Sequence, residues 1–269
     1  MNIACRPAAV AGMFYPGTAD ILGQEIDRLL ASSPTRTSGL PKAIIVPHAG
    51  YIYSGSIAAS VYARFAAARN AVRHVVLLGP THRVAVNGLA LPTSKAFSTP
   101  LGNVPIDQKA VESIEDLPQI VFSDLAHAQE HSLEVQLPFL QALFDDFSLL
   151  PLAVGMATPA MVAEVLERVW GGDETLIVVS SDLSHYLPYS EARRIDAQTA
   201  EEILALQAVI DHRQACGATP VNGLLLAAQH HGLKATLVDL RNSGDTAGDR
   251  MRVVGYGAFA FYDEARDDH

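Results

Sequence analysis

Short runs of consecutive apolar residues, at 43–46, 74–79, 148–154 and 175–180, alternate with longer stretches where apolar positions recur every three or four residues. A run that is apolar on both faces predicts a strand buried inside a parallel sheet. The helical spacing of Ile21, Leu22, Ile26, Leu29 and Leu30 predicts a helix over 20–30. Further helices are predicted at 54–68, 107–115, 132–144, 159–170, 190–207 and 220–231. Pro138 is expected to bend or restart the fourth of these. Thr219-Pro220 reads as a cap with proline at the first helical position, and His231-Gly232 as the stop of that helix. Strand-like Leu89–Pro92 and a turn-rich region at 98–103, a hairpin or an irregular cover, lie between. Strands at 234–240 and 252–262 close the pattern. The last is expected to run antiparallel, because no crossover helix precedes it.

Residues 1–20 read as an extended segment anchored by Phe14 and Tyr15. The polar stretch 32–41, with Pro34 and Gly39, is the best linker, but it lies too near the N-terminus to divide the chain. The expectation is one α/β domain over 1–269, with a mixed, mostly parallel central sheet flanked by helices.

Three of the apolar runs end in short turns that carry histidine. These are Val46-Pro-His48, Gly79-Pro-Thr-His82 and Ser180-Ser-Asp182-Leu-Ser-His185. Ligands in open α/β sheets bind outside the carboxyl ends of the strands. Distant segments therefore deliver imidazoles and a carboxylate to one sheet edge, as a metal or acid–base site requires. Two histidines with one carboxylate form the facial triad of non-haem Fe(II). Candidate carboxylates are Asp182, Glu130 and Asp245, the last in a Gly-containing loop where an Asx-turn is the competing use. Asp182 and His185 are three residues apart and share a face if the chain turns helical there.

His127-Ala-Gln-Glu130-His131 matches the inverted zinc-peptidase pattern. That chemistry needs one continuous helix, and Pro138 follows closely. Glu130 and His131 are better read as groups supporting the site or moving protons beside it, with His127 left at the surface or behind the site. Cys216-Gly217 precedes a helix start, where a thiolate would be favoured. A small packed thiol is the blander reading.

Composition narrows the partners. The formal net charge is −10, and no Lys/Arg cluster could neutralise phosphates, which argues against nucleic acid. No apolar stretch reaches membrane-spanning length. Two cysteines make no disulfide framework, and no leader pattern is evident, so a cytoplasmic protein with reduced thiols is expected. The acidic end after Asp263 reads as a solvated tail.

Taken in order, Arg6-Pro-Ala-Ala-Val-Ala-Gly-Met-Phe-Tyr-Pro, Val46-Pro-His-Ala-Gly-Tyr-Ile-Tyr-Ser-Gly, Gly79-Pro-Thr-His, Glu130-His-Ser-Leu-Glu-Val-Gln-Leu-Pro and Ser180-Ser-Asp-Leu-Ser-His resemble the Memo family. That family is similar in fold to the class III extradiol dioxygenases, non-haem iron enzymes that cleave catechol rings. The resemblance implies that His48 and His82 bind metal and that Asp182, His185 and His131 line the same pocket. It implies a third ligand in the 242–246 loop, where Asp245 stands. Fe(II) is the expected cofactor, with Zn or Cu as alternatives, and a small catecholic or vicinal-oxygen molecule the expected substrate. His131 or His185 would take its proton. Bacterial members are often encoded beside a radical-SAM protein, which implies a shared pathway. Two other classes stay open: a Memo-type protein that binds a ligand or peptide without turnover, and a metal-dependent hydrolase.

Overall fold

The structure is a computed structural model that describes residues 5–33 and 39–263. Residues 34–38 of the predicted linker and the acidic end after Asp263 lie outside the described residues. The strands are β1 (Cys5–Arg6), β2 (Ala43–Val46), β3 (His74–Pro80), β4 (Leu89–Leu91), β5 (Ala96–Thr99), β6 (Gly102–Pro105), β7 (Ile120–Phe122), β8 (Ser148–Val154), β9 (Thr175–Ser180), β10 (His185–Leu187), β11 (Leu233–Asn242) and β12 (Val253–Asp263). The helices are α1 (Ala19–Ala31), α2 (Tyr51–Tyr62), α3 (Gln108–Ile114), α4 (Asp124–Ala128), α5 (Leu137–Leu143), α6 (Pro159–Arg168), α7 (Tyr189–Leu204), α8 (Ala218–His230) and α9 (Ser243–Thr246).

The main sheet runs β10-β12-β2-β9-β3-β8-β4-β7, with β11 paired to β12. Its centre, β2-β9-β3-β8, is parallel. These four strands are the apolar runs of the sequence, and nearly every residue in them is buried. Burial on both faces is what a parallel sheet covered by helices demands. As expected, β12 pairs antiparallel to β2. Helix α2 packs on β2 and β12, α6 packs on α8, and α8 reaches β3 and β9. A smaller sheet, β1-β5-β6, ties the N-terminal segment to the turn-rich region, which forms a hairpin.

Local chemistry explains most boundaries. Helix α2 starts at Tyr51, earlier than predicted, because Gly50 supplies the extended N-cap. A short 3-10 turn over Glu134–Gln136 precedes α5, and Pro138 falls in the first turn of α5, where its missing N–H costs nothing. Helix α8 begins at Ala218 with Gly217 as N-cap, so Thr219 lies inside the first turn instead of capping it. The chain does not turn helical over Asp182–His185, so the shared face that such a turn would give does not arise. Those residues are a loop running into β10.

Tyr15 anchors the N-terminal segment as expected. It is buried, and its hydroxyl donates to Glu134 Oε1 over 2.6 Å. Arg6 forms a buried ion pair with the same carboxylate. Its Nε and Nη2 donate to the carbonyls of His127 and Glu130 over 2.9 and 2.7 Å. The segment is thereby bound to the chain that carries Glu130 and His131.

Candidate metal centre

Strands β2, β3 and β9 are adjacent and parallel, so Val46, Pro80 and Ser180 end at one edge of the sheet. His48 lies two residues beyond β2 and His82 two residues beyond β3. The third contributor is the 130–133 loop, which crosses the end of β3. Gly79 permits this crossing: a Cβ there would lie 2.8 Å from Ser132 Oγ and 3.0 Å from Leu133 Cδ2. Ser132 Oγ donates to the Pro80 carbonyl over 2.9 Å and fixes the approach.

The result is a cluster of His48, His82 and His131 with one ligand nitrogen each, all within 4.8 Å of one another. The His82 and His131 rings lie 4.7 Å apart and nearly stacked, and His48 meets both edge-on at 5.2 and 5.3 Å. Hydrogen bonds choose the tautomers. Ser180 Oγ donates to the Ser132 carbonyl over 2.6 Å, so it accepts from His48 Nδ1 at 3.0 Å. His48 Nε2 is left with its lone pair. Glu130 Oε1 accepts from His82 Nδ1 at 2.9 Å, with the same consequence for His82 Nε2. Glu130 also accepts from the backbone N–H groups of His82 and Ser132 at 2.6 and 2.9 Å. Carboxylates and hydroxyls that orient ligating imidazoles in this way are the usual outer support of metal sites.

The electrostatics agree. Burial, then the neighbouring imidazoles of His131, His82 and His185, holds His48 well below the ordinary histidine range. Burial lowers His131 to about 4, with the nearby carboxylate of Glu130 opposing it. Burial also lowers His185. Neutral imidazole is the metal-ligating form. Burial alone would raise the Glu130 carboxyl, but the hydrogen bond and charge of His82 and the two backbone donors hold it down to about 2.

The other predicted site residues divide. Asp182 is buried beside the cluster, and its Oδ1 accepts the His48 backbone N–H at 2.7 Å. Burial pushes its carboxyl up to about 7, against the pull of the N–H groups of His48 and Ala49. His185 Nδ1 donates to the Leu183 carbonyl at 2.8 Å, which leaves Nε2 free to accept. Tyr186 next to it holds a left-handed backbone with φ 59°, a costly conformation for an aromatic residue and a common mark of functional loops.

Asp245 is not brought to the histidines. It is exposed, its Oδ2 accepts the Asn242 N–H at 3.1 Å as part of the cap of α9, and its Oδ1 accepts the Tyr189 hydroxyl at 2.5 Å. The local turn chemistry of Asn-Ser-Gly-Asp wins over ligation there. His127 is not at the surface: it is buried, with Nε2 donating to the Ala90 carbonyl at 2.9 Å. Helix α4 ends at Ala128, so His127 and His131 do not share a helix and the inverted zinc-peptidase geometry is absent.

Cys216, which the expected ligand set did not include, lies beside His48. Its Sγ lies 3.3 Å from His48 Nε2. Gly217 makes this possible, since a Cβ there would lie 2.7 Å from Ser181 Cβ, and its N–H donates to Ser181 Oγ over 2.9 Å. The helix start does not make a thiolate of it. Burial, then the charge of Asp182, pushes the thiol up to about 12. A coordinated metal ion reverses that balance and deprotonates a ligating thiol. The only hint in the sequence was Cys-Gly before a helix, and nothing in the spacing ties it to His48. Asp196 was equally hidden. It reaches from α7 to accept the Ser184 N–H at 3.0 Å and so holds the loop between Asp182 and His185.

A cavity of about 320 Å³ opens beside the cluster, lined by His82, Cys216, His212 and Met156 among others. That is the lower end of the range for small-molecule sites. A larger cavity of about 610 Å³ lies at the opposite end of the strands, away from these histidines.

Glu130→Gln gives a direct check on the support role. Metal affinity is expected to fall about 10–100-fold, as for other outer-support losses. The carboxyl is about 2 when folded, below its ordinary value of 4.5. It therefore stabilises the fold above about pH 4.5 and loses that contribution as pH falls toward 2. Denaturant melts between pH 2 and 6 should show a flatter acid limb in Glu130→Gln. An unchanged limb together with unchanged affinity would contradict the assignment.

Comparison with known proteins agrees with this picture. Residues 6–260 match the family model described as Memo-like protein. A MEMO1 family protein of Aquifex aeolicus is 39% identical over 268 residues, covering 95% of this chain and 98% of its own. A MEMO1 family protein of Methanosarcina acetivorans is 38% identical over 271 residues, covering 94% and 97%. In structure the chain is similar to an uncharacterized Escherichia coli K12 protein, JW3007, with TM-score 0.53 and 14% identity over 81% of this chain and 99% of that one. At that identity the likeness supports the α/β fold alone. With nearly its whole length matched and its histidine-bearing strand ends inside the matched region, this chain belongs to the Memo family.

Proposed function

We propose that this protein is a metal-dependent oxidoreductase acting on a small molecule with vicinal oxygens, such as a catechol. The observation that carries the reading is the convergence of three imidazoles, those of His48 and His82 each with its far nitrogen already engaged. His48, His82 and His131 would hold one transition-metal ion, with the Cys216 thiol beside His48 as the anionic donor. Imidazole with thiolate suits iron, zinc or copper. Fe(II) bound there would supply the one-electron chemistry that dioxygen needs to attack an organic substrate.

The chain's own groups do the rest. The cavity beside His82 and Cys216 holds the substrate and limits it to small size. His185 accepts a substrate hydroxyl proton at Nε2, because Nδ1 is engaged with Leu183. Asp182 fixes the backbone of His48, and its carboxyl near 7 lets it share a proton near neutral pH. Glu130 keeps His82 oriented.

The test is anaerobic purification of the untagged chain, metal analysis, and oxygen uptake across a panel of catechols. Iron near one per chain with substrate-dependent uptake, lost in His185→Ala while iron is retained, is the expected result. Tight catechol binding without uptake would overturn it in favour of a binding protein. Zinc in place of iron, with ester or amide hydrolysis, would overturn it in favour of a hydrolase.

A further inference from the structure

A second group of ligand-type side chains lies at the other end of the molecule, and the proposed reaction makes no use of it. Glu167 is the penultimate residue of α6, His230 is the last residue of α8, and His231 is the C-cap of α8. Glu167 Oε1 lies 2.9 Å from His230 Nδ1, and Oε2 lies 3.0 Å from His231 Nε2. One ligand atom from each of the three falls within 4.8 Å of the others. We infer that Glu167, His230 and His231 form a second, independent site for a divalent transition-metal ion of the zinc–copper class.

Four features support it. Donor atoms around a tetrahedral ion with bonds of roughly 2.0–2.1 Å stand about 3.3 Å apart, so the Glu167–histidine separations need only small adjustments. Imidazole with carboxylate is a donor set that zinc and copper accept. The His231 ring is held in place: it stacks on Trp170 with centroids 3.8 Å apart and planes 5° from parallel. A ligand already ordered gives up less freedom on binding. Both histidines also lie at the C-terminal end of a 13-residue helix, where the unpaired carbonyls favour a cation.

Glu167 and His230 keep 35% and 71% of their side-chain surface, so ions reach the site and substitutions there do not disturb the core. His231 and Trp170 also line the 610 Å³ cavity at this end, which gives an exogenous ligand a route to a position the protein leaves open.

Trp170 makes the test clean, because the chain has one tryptophan. Metal-free, untagged protein would be titrated with Zn(II), counting bound ion by equilibrium dialysis, and with Cu(II), following tryptophan fluorescence. A second equivalent of Zn(II) is expected in the wild type. Strong quenching by Cu(II) is expected in the wild type and in His48→Ala/His82→Ala. In Glu167→Gln/His230→Ala the second equivalent should be lost and the Cu(II) midpoint should rise at least about 100-fold, beyond the range for lost outer support. Equal quenching in wild type and Glu167→Gln/His230→Ala would overturn the site. So would a wild type that binds a single equivalent, all of it lost in His48→Ala/His82→Ala. Failure of the first centre leaves the Trp170 response intact, so the two readings fail separately.

Discussion

His82→Ala is expected to lower metal affinity by more than about 100-fold, beyond the loss typical of a supporting residue. The ring is one of three that converge, and its side chain keeps 29% of its surface, so the fold should survive its removal. His48→Ala should lose metal equally but should also lose stability. His48 is 2% exposed, and its ring is hydrogen-bonded to Ser180. Ser180 Oγ keeps its bonds to Ser132 and Gln136, so losing this one hydrogen bond costs about 0.5–1.5 kcal/mol. Asp245→Asn should change affinity by less than about twofold, since that carboxylate is spent on the cap of α9 and on Tyr189. Competition with a chromogenic chelator ranks the three, and thermal melts separate ligand loss from unfolding. A larger affinity loss from Asp245→Asn than from His82→Ala would remove the centre from where it is placed here.

The contrast between His82 and Asp245 also shows what could be read from the chain. Buried strands at 43–46, 148–154 and 175–180 were legible to the residue, because burial on both faces leaves an unbroken apolar run. Histidines just beyond such strands were legible for the same reason: the sheet itself places them on one edge. The third strong donor near His48 was not. Cys216 reaches His48 across 168 residues of sequence through a glycine that lets two loops touch, and no periodicity encodes that contact. Asp245 looked equally suitable by type, but Asn242 and Gly244 around it make a local cap that satisfies it at home. Short elements escaped for a related reason. Strand β10 and helices α4 and α9 span three to five residues, too few for a period to register. The His127–His131 pattern illustrates the cost: the residues match a motif, and the break after Ala128 removes the helix the motif needs.

Glu134→Ala is expected to be among the most destabilising single changes in the protein. The carboxylate is fully buried and accepts from Arg6, from the Tyr15 hydroxyl and from the backbone N–H groups of Ala9 and Val10. Arg6 is buried with it, at 4% side-chain exposure. Removing one member of such a pair leaves the other charged and without its partner, at about 3–5 kcal/mol. Domains of this kind have a total stability of about 5–15 kcal/mol, so the change takes a large share of it. The melting temperature should fall by on the order of 10 °C. The metal centre should weaken with it. Arg6 also holds the carbonyls of His127 and Glu130, and the loop that follows carries His131. The double variant Arg6→Met/Glu134→Leu separates charge from packing. Because it leaves no orphaned ion, it should be more stable than either Glu134→Ala or Arg6→Ala. Denaturant melts of the three variants decide the matter. If Glu134→Ala loses less than about 1 kcal/mol, the level of an exposed pair, then the ion pair is not what fastens the N-terminal segment to the His131 loop. A double variant less stable than both single ones would point to the shape of the two side chains and the bonds that Tyr15, Ala9 and Val10 donate to Glu134, and not to the charge of the pair, as what the site requires.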